Sequence, residues 1–475
     1  MTAGAIVAGI AIVIGAGTIH PAFACAVALA GAFLLAALRD PALATPVVLF
    51  ILYTNLAVVA VHFHGVPAIV AAVYPGLLAL PLLDHLLVRR ERWHVDAIGV
   101  WILVFLAVQI AGTAFSDDPS RSFGQVRGLF FEGVVLHLLV IHVVRTPTEL
   151  RRAVTAIVLA AAFVAIVPTI QQLTGDFSRT FGGLGQVTAE DSFSTGSGAQ
   201  LRLAGSIGEK NRFSQNLLMA VPIGWWLASA TPDRARRFAL FAATGLAFLG
   251  FALAFSRGNA IAAVLTLGMM VVLRLVPRGH LVKIGLAGLL LFAILPQYGQ
   301  RILTVGSLRG LVGGPVSSSN SPDGSFRRRA EVMVGAGLMF VDHPVIGVGP
   351  GMSPPLAPQY ANALGLRKVE TERQTHNLLL HIAAENGALG LTAFVAMLAT
   401  AVLGCLRTIA LTRRSHPEIA AIATGLLGAL LVYFNTGLFL HLSYVRFFFV
   451  ILALAAATIA IGRRVATEGA REGAA

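Results

Sequence analysis

Charge is scarce in this chain. Only 12% of its 475 residues are Asp, Glu, Lys or Arg, about half the share of an average soluble domain. That scarcity argues against a solvated globular enzyme. Cysteine is nearly absent too: Cys25 and Cys405 both fall inside apolar runs, so neither a disulfide framework nor a cysteine metal site can be built. No His-Glu-x-x-His run occurs, which removes the motif of zinc proteases. No internal repeat is visible. The formal charge is +13, but the basic residues sit in short clusters between apolar runs. Without a continuous basic patch, nucleic acid is excluded as a partner.

What the chain does have is apolar length. Hydrophobic residues make up 56% of it, in runs of about 17–25 residues that recur along nearly the whole chain. This is the pattern of an all-α polytopic membrane protein. Spans begin near residues 3, 20, 44, 65, 95, 128, 153, 213, 238, 257, 284, 376, 419 and 447. The two N-terminal pairs have very short connections, so about 12–14 transmembrane helices are expected. The first run has no basic n-region and a second span follows almost at once, so it reads as a span and not a cleaved signal.

Lys and Arg in short loops set the orientation. With the N-terminus inside, the inner loops hold Arg89-Arg90-Glu91-Arg92, Arg151-Arg152, Arg234-Ala235-Arg236-Arg237, Arg413-Arg414 and Arg463-Arg464, and the C-terminus is inside as well. The outer side then carries two long polar segments, 174–212 and 299–375, and short turns near 116–127, 256–258 and 441–446. Segment 174–208 is rich in Gly, Ser and Thr and reads as loop. In the second segment, RRRAEVMVGAGLMFVDHP (327–344) has helical periodicity that stops at Pro344, and GVGPGMSPP (347–355) is a Gly/Pro elbow. Outer arginines, among them Arg121, Arg202 and Arg446, point to an anionic ligand on that face.

Several polar residues ask for a reason. His376 stands where the outer segment meets a span, with Thr375 placed to cap the helix. A helix N-terminus favours a neutral imidazole, which can act as general base; the alternative is an interfacial anchor. His381 and Glu385, four apart, share one helix face and read as a packing pair. Arg257 lies in FSRGN between two spans, as a phosphate clamp or a snorkelling side chain. Arg327, Arg328 and Arg329 open the loop helix, and Lys210-Asn211-Arg212 precedes a span; each reads as anion ligand or as solvated charge run. Asp117-Asp118, in SDDPS, reads as a turn before Pro119 rather than a metal pair.

The set FSRG (255–258), RRRAEVMVGAGLMFVDHPVIGVGPG (327–351) and THNLLLHIAAENGALGL (375–391) resembles the signature of the O-antigen ligase and O-antigen polymerase superfamily. GSIGEKNRFSQNL (205–217) is similar to the upstream family pattern. The resemblance covers residues 200 to 395 and implies a GT-C-type architecture with one large, partly helical periplasmic loop. Its domains would be N-terminal transmembrane helices (1–200), a ligase-like catalytic region (201–395, with periplasmic loop 299–375), and C-terminal helices with a short cytoplasmic tail (396–475). It implies a metal-independent, cofactor-free, inverting glycosyltransferase of the bacterial inner membrane. Such an enzyme takes a glycan from undecaprenyl diphosphate and transfers it to a sugar hydroxyl on lipid A–core or on another glycan. Carried over by motif, the catalytic residues would be His376, Arg329 and Arg257. Arg327, Lys210, Asn211 and Arg212 would join the substrate contacts, with Asn377, His381 and Glu385 behind them. Met333 stands where the family has an aromatic residue.

Paired guanidiniums would hold the diphosphate as its charge grows, and an apolar groove between spans would hold the lipid chain. Two alternatives stay open. A polymerase is often described with arginine and glycine eleven apart in the outer loops, and only Arg257 and Gly268 fit, with Gly268 inside a span. A lipid-glycan transporter should place ionisable groups near the bilayer midplane, whereas here they gather at the outer boundary.

Overall fold

A computed structural model describes residues 36–187, 193–195, 198–294, 322–363, 374–442 and 445–472. The spans expected near residues 3 and 20 lie outside them. The helices are α1 (Ala44–Thr54), α2 (Leu56–His64), α3 (Ala97–Ala114), α4 (Pro119–Val143), α5 (Pro147–Thr174), α6 (Lys210–Ala230), α7 (Arg234–Leu253), α8 (Arg257–Val272), α9 (Arg278–Ile294), α10 (Pro322–Asp342), α11 (Ser353–Ala363), α12 (Leu378–Thr412), α13 (Pro417–Gly437) and α14 (Val445–Glu472). The chain is an all-α polytopic membrane protein. Seven of these helices are long and apolar enough to cross a bilayer: α3, α4, α5, α7, α12, α13 and α14. An eighth span arises if α1 and α2, bent by 56° at Asn55, count as one. The span expected near 65 is instead short helical pieces, Ala68–Val73 and Tyr74–Val88. Pro67, Pro75, Gly76 and Pro81 interrupt it.

Local chemistry starts these helices. Asp96 caps α3 by accepting from the amides of Ile98 (2.8 Å) and Gly99 (3.2 Å). Asp118 caps α4 with Pro119 at the first helical position, so the SDDPS turn is a helix start. Thr146 and Glu149 form a reciprocal capping box on α5, and Glu209 and Asp233 cap α6 and α7. Each such cap contributes about 1 kcal/mol.

α13 is the centre of the bundle, packed by α6, α8, α12 and α14. It meets α6 at Gly425, where a Cβ would come within 2.8 Å of the Ile223 Cα. Only a glycine permits that approach, the usual device of membrane helix pairs. The segment expected as loop over 174–208 carries two short antiparallel ladders: Gln186–Val187 with Leu203–Gly205, and Phe193–Thr195 with Gly198–Gln200.

Candidate functional site

The N-termini of α6, α8 and α12 meet at one end of the bundle. Asn211, in the first turn of α6, ties the first two together. Its Oδ1 accepts from Arg202 Nη2 (3.0 Å) and from Ser256 Oγ (2.9 Å), and its carbonyl accepts from Asn259 Nδ2 (2.7 Å). Arg202 also donates Nε to the Ala254 carbonyl at 3.0 Å. Arg257 is thereby presented as the first residue of α8, half-buried beside this lattice. Lys210 is the first residue of α6. Helix N-termini carry partial positive charge, so their convergence with Arg202, Arg212 and Arg257 makes an anion-favouring corner.

Arg212 links that corner to the histidines. Its guanidinium is buried, donating Nη1 to Gln215 Oε1 (3.1 Å) and Nη2 to the backbone carbonyl of His441. His441, in the turn between α13 and α14, has its ring centroid 6.1 Å from that of His376 and 5.9 Å from that of His381. Burial holds the His441 imidazole well below its ordinary pKa, with Arg212, His381 and His376 adding repulsion. Arg446, at the same turn, donates to Glu132 Oε1 (2.9 Å) and Asn55 Oδ1 (2.6 Å).

Thr375 does not cap α12. Asn377 does, accepting from the Leu380 amide at 3.0 Å and donating Nδ2 to the Leu438 carbonyl at 3.3 Å. Thr375 is buried and His376 stands one residue before the cap. An Asn side chain reaches the free amides of the first turn, and the chain becomes helical only at Leu378.

His381 and Glu385 do more than pack spans. Glu385 accepts from the Gly351 amide (2.8 Å), the Ser353 amide (3.2 Å) and Ser353 Oγ (2.8 Å), while His381 Nε2 lies 3.5 Å from it. The Gly/Pro elbow is therefore hung on a buried carboxylate. Two residues on, Gly387 leaves the helical region (φ 61°, ψ −164°) and opens α12. The elbow backbone fills the gap: Ala388 and Leu389 donate to the Pro344 and Val345 carbonyls (2.8 and 3.2 Å), and Val348 and Gly349 donate to the Ala384 and Glu385 carbonyls (2.9 and 3.1 Å). A broken membrane helix is tolerated because its freed backbone groups are satisfied here. Arg121 of α4 donates Nε to the Gly351 carbonyl at 2.9 Å and locks the elbow from the other side.

Two hollows flank the turn between α13 and α14. One is a polar cavity of about 270 Å³ between α3, α4, the elbow and α12, with His381, Glu385 and His441 in its wall. The other is an apolar groove of about 730 Å³ between α1, α2, the short helices and α4. Glu132 lines both, so they meet at the Arg446–Glu132 pair.

The structure thus joins His376, Asn377, His381 and Glu385 with Asn211 and Arg212. Arg327, Arg328 and Arg329 lie on α10, but their side chains are outside the described residues. Sequence reading missed His441, Ser353 and the Asn55–Arg446 contact altogether. A histidine in the short polar break between two apolar runs was the available signal for His441. Among the described residues no group of three or more His, Cys, Asp or Glu is placed to hold a metal ion.

Residues 217–395 match the family model of the O-antigen ligase. That region is similar to the O-antigen ligase family, and the match covers less than half of the chain. It takes in Arg257, α10, the elbow and the first part of α12, and leaves out Arg202, Asn211, Arg212 and His441. No curated protein matches the chain.

Proposed function

From the O-antigen ligase domain of residues 217–395 as premise, we propose that this protein transfers a glycan from a polyprenyl diphosphate carrier to a sugar hydroxyl on the outer face of the bacterial inner membrane. The observation that carries this reading is the meeting of three helix N-termini, with Arg202, Arg212 and Arg257, at a turn whose His441 lies against His376. A site for the anionic leaving group on one side of the anomeric carbon and a proton acceptor on the other are what this transfer requires.

In the reaction the acceptor hydroxyl oxygen attacks the anomeric carbon from the face opposite the diphosphate. The new C–O bond forms as the C–O bond to phosphate breaks, so configuration inverts. His376 takes the hydroxyl proton. The bond electrons leave with the diphosphate, whose added charge is stabilised by guanidiniums and helix N-termini fixed before the reaction starts. Arg257 and Arg329 make the closest contacts in this reading, and Asn211 and Arg212 hold the corner in shape. The apolar groove of about 730 Å³ takes the first part of the polyprenyl chain. No metal or other cofactor is assigned a role.

The test is a gel of surface glycolipids from cells lacking the gene, complemented with wild type or His376→Ala. A ligase leaves long glycans on the carrier and none on lipid A–core in the mutant. Single repeats on the acceptor would instead mark a polymerase of the same superfamily. Full transfer by a normally inserted His376→Ala protein would sink the assignment.

A further inference from the structure

The end of α6 opposite the basic corner carries a second concentration of positive charge. Six basic residues stand exposed there: Arg234, Arg236 and Arg237 at the start of α7, Arg274 in the turn after α8, and Arg278 and Lys283 on α9. None of the six makes an ion pair among the described residues. Asp233 is the only carboxylate between residues 225 and 283, and it is occupied as the cap of α7, accepting from the Arg236 amide at 2.7 Å.

Around other turns at the same end, carboxylates stand among the arginines. Asp84 pairs with Arg89, Glu91 with Arg145, Asp40 with Arg152 and Glu418 with Arg151. The tendency of short inner loops to be basic accounts for arginines at all these turns. It does not account for one sector that keeps six exposed cations without a counter-charge.

The same sector has the chemistry of a membrane interface. Trp225 and Trp226, near the end of α6, are half-buried, and tryptophan favours the level of the lipid head groups. Trp225 donates Nε1 to His280 Nδ1 at 3.1 Å, and its ring centroid lies 5.4 Å from that of Phe241 on α7. The Trp226 centroid lies 5.1 Å from that of His280. These contacts gather the starts of α7 and α9 around the end of α6. Arg237 is one helical turn before Phe241, and Lys283 acts electrostatically on the His280 ring. Exposed apolar side chains alternate with the cations: Phe238 beside Arg237, Val272 before Arg274, Val282 beside Lys283. From Val282 the open face of α9 continues through Leu286, Leu289 and Leu290, at the spacing of one helix face. Cations at one end of an open apolar stripe match an amphiphile with an anionic head.

We propose that this sector binds an anionic phospholipid of the inner leaflet, its phosphate among Arg237, Arg278 and Lys283 and an acyl chain along α9. Basic pockets between membrane helices on the inner side recognise such head groups. A zwitterionic lipid brings its own ammonium and fits the charge less well. A soluble polyanion would leave the apolar stripe uncovered. The leaflet follows from the basic short loops at this end, and the binding surface stands without the glycosyl-transfer reading.

The test is native mass spectrometry of the full-length protein in detergent, with dioleoyl phosphatidylglycerol and dioleoyl phosphatidylcholine supplied in equal amounts. Wild type is expected to retain phosphatidylglycerol at least tenfold better. Each Lys or Arg near an anionic head group contributes about fivefold in affinity, so Arg237→Gln/Arg278→Gln/Lys283→Gln should abolish the preference. These side chains are exposed and make no ion pair among the described residues, so the melting temperature of that variant should hold. Arg413→Gln/Arg414→Gln/Arg463→Gln removes the same charge from other turns at this end and should keep the preference. No preference in wild type, or equal loss in both triple variants, overturns the proposal. Displacement of the lipid by millimolar inorganic phosphate would mark a bare anion site and overturn it as well. Retention is read without turnover, so this result and that of the His376→Ala gel stand apart.

Discussion

Glu385 and Gly351 are joined across 34 residues of chain by a 2.8 Å hydrogen bond from the glycine amide to the carboxylate. Through it, and through Ser353, the Gly/Pro elbow is fixed to the helix that begins beside His376. Glu385→Gln replaces one accepting oxygen by a donating amide that faces N–H or O–H donors. Each charge-assisted hydrogen bond lost costs about 1.5–3 kcal/mol. The variant should show a lower melting temperature in detergent and weakened transfer, and a wild-type melting curve would contradict this role.

Arg212 and Arg257 separate structure from chemistry. Arg212 is buried and grips Gln215 and the His441 carbonyl at once. Lysine lacks the planar fork to do both, so Arg212→Lys should lower thermal stability and activity together. Arg257 is half-buried at a helix start. Arg257→Lys should leave the melting temperature nearly unchanged and cut kcat by about 10²–10³, as for removal of one transition-state donor.

His441 makes stability depend on pH. Its folded pKa is depressed by burial, and then by Arg212, His381 and His376. In the unfolded chain the imidazole takes up a proton near 6.5, and in the folded protein only well below. The unfolded state therefore binds more protons in that window, so stability is full above about 6.5 and falls as the pH drops beneath it. Melting curves of wild type and His441→Gln, compared across that range, should show a shallower acid loss in the variant.

Gly387 admits no side chain. Its φ of 61° is in the left-handed region, and a Cβ would lie 2.3 Å from the Val345 carbonyl carbon and oxygen. Gly387→Ala should expel the elbow from the break in α12. The readout is membrane yield and melting temperature, with Ala383→Gly, one helical turn before Gly387, as a mild control.

Transfer should continue undiminished in EDTA. Asp118 is occupied as the cap of α4, accepting from the Arg121 amide at 3.0 Å. A strict metal requirement would instead redirect attention to Asp117 and Asp118.

The sequence by itself determined the membrane class, the order of the helices and most of their boundaries. These follow from apolar run length; the caps Asp118-Pro119 and Thr146-x-x-Glu149 are not read as helix starts from sequence, and the first reads there as a turn. It also made the segment beginning at His376 suspect, because polar groups at a membrane boundary are costly. Its reading of the cap at Thr375 was off by two residues, since neighbouring Thr and Asn offer the same local chemistry and the incoming chain path chooses between them. What only the tertiary structure decided is the company each polar residue keeps. Arg212 and His441 are 229 residues apart, and Glu385 and Ser353 are 32 apart. Such pairs form because burying a charge or an open helix end in a bundle demands a partner from wherever the packing brings one. The packing of α13 against α6 and α14 brings Arg212 to the His441 turn, and the elbow set into the break of α12 brings Ser353 to Glu385.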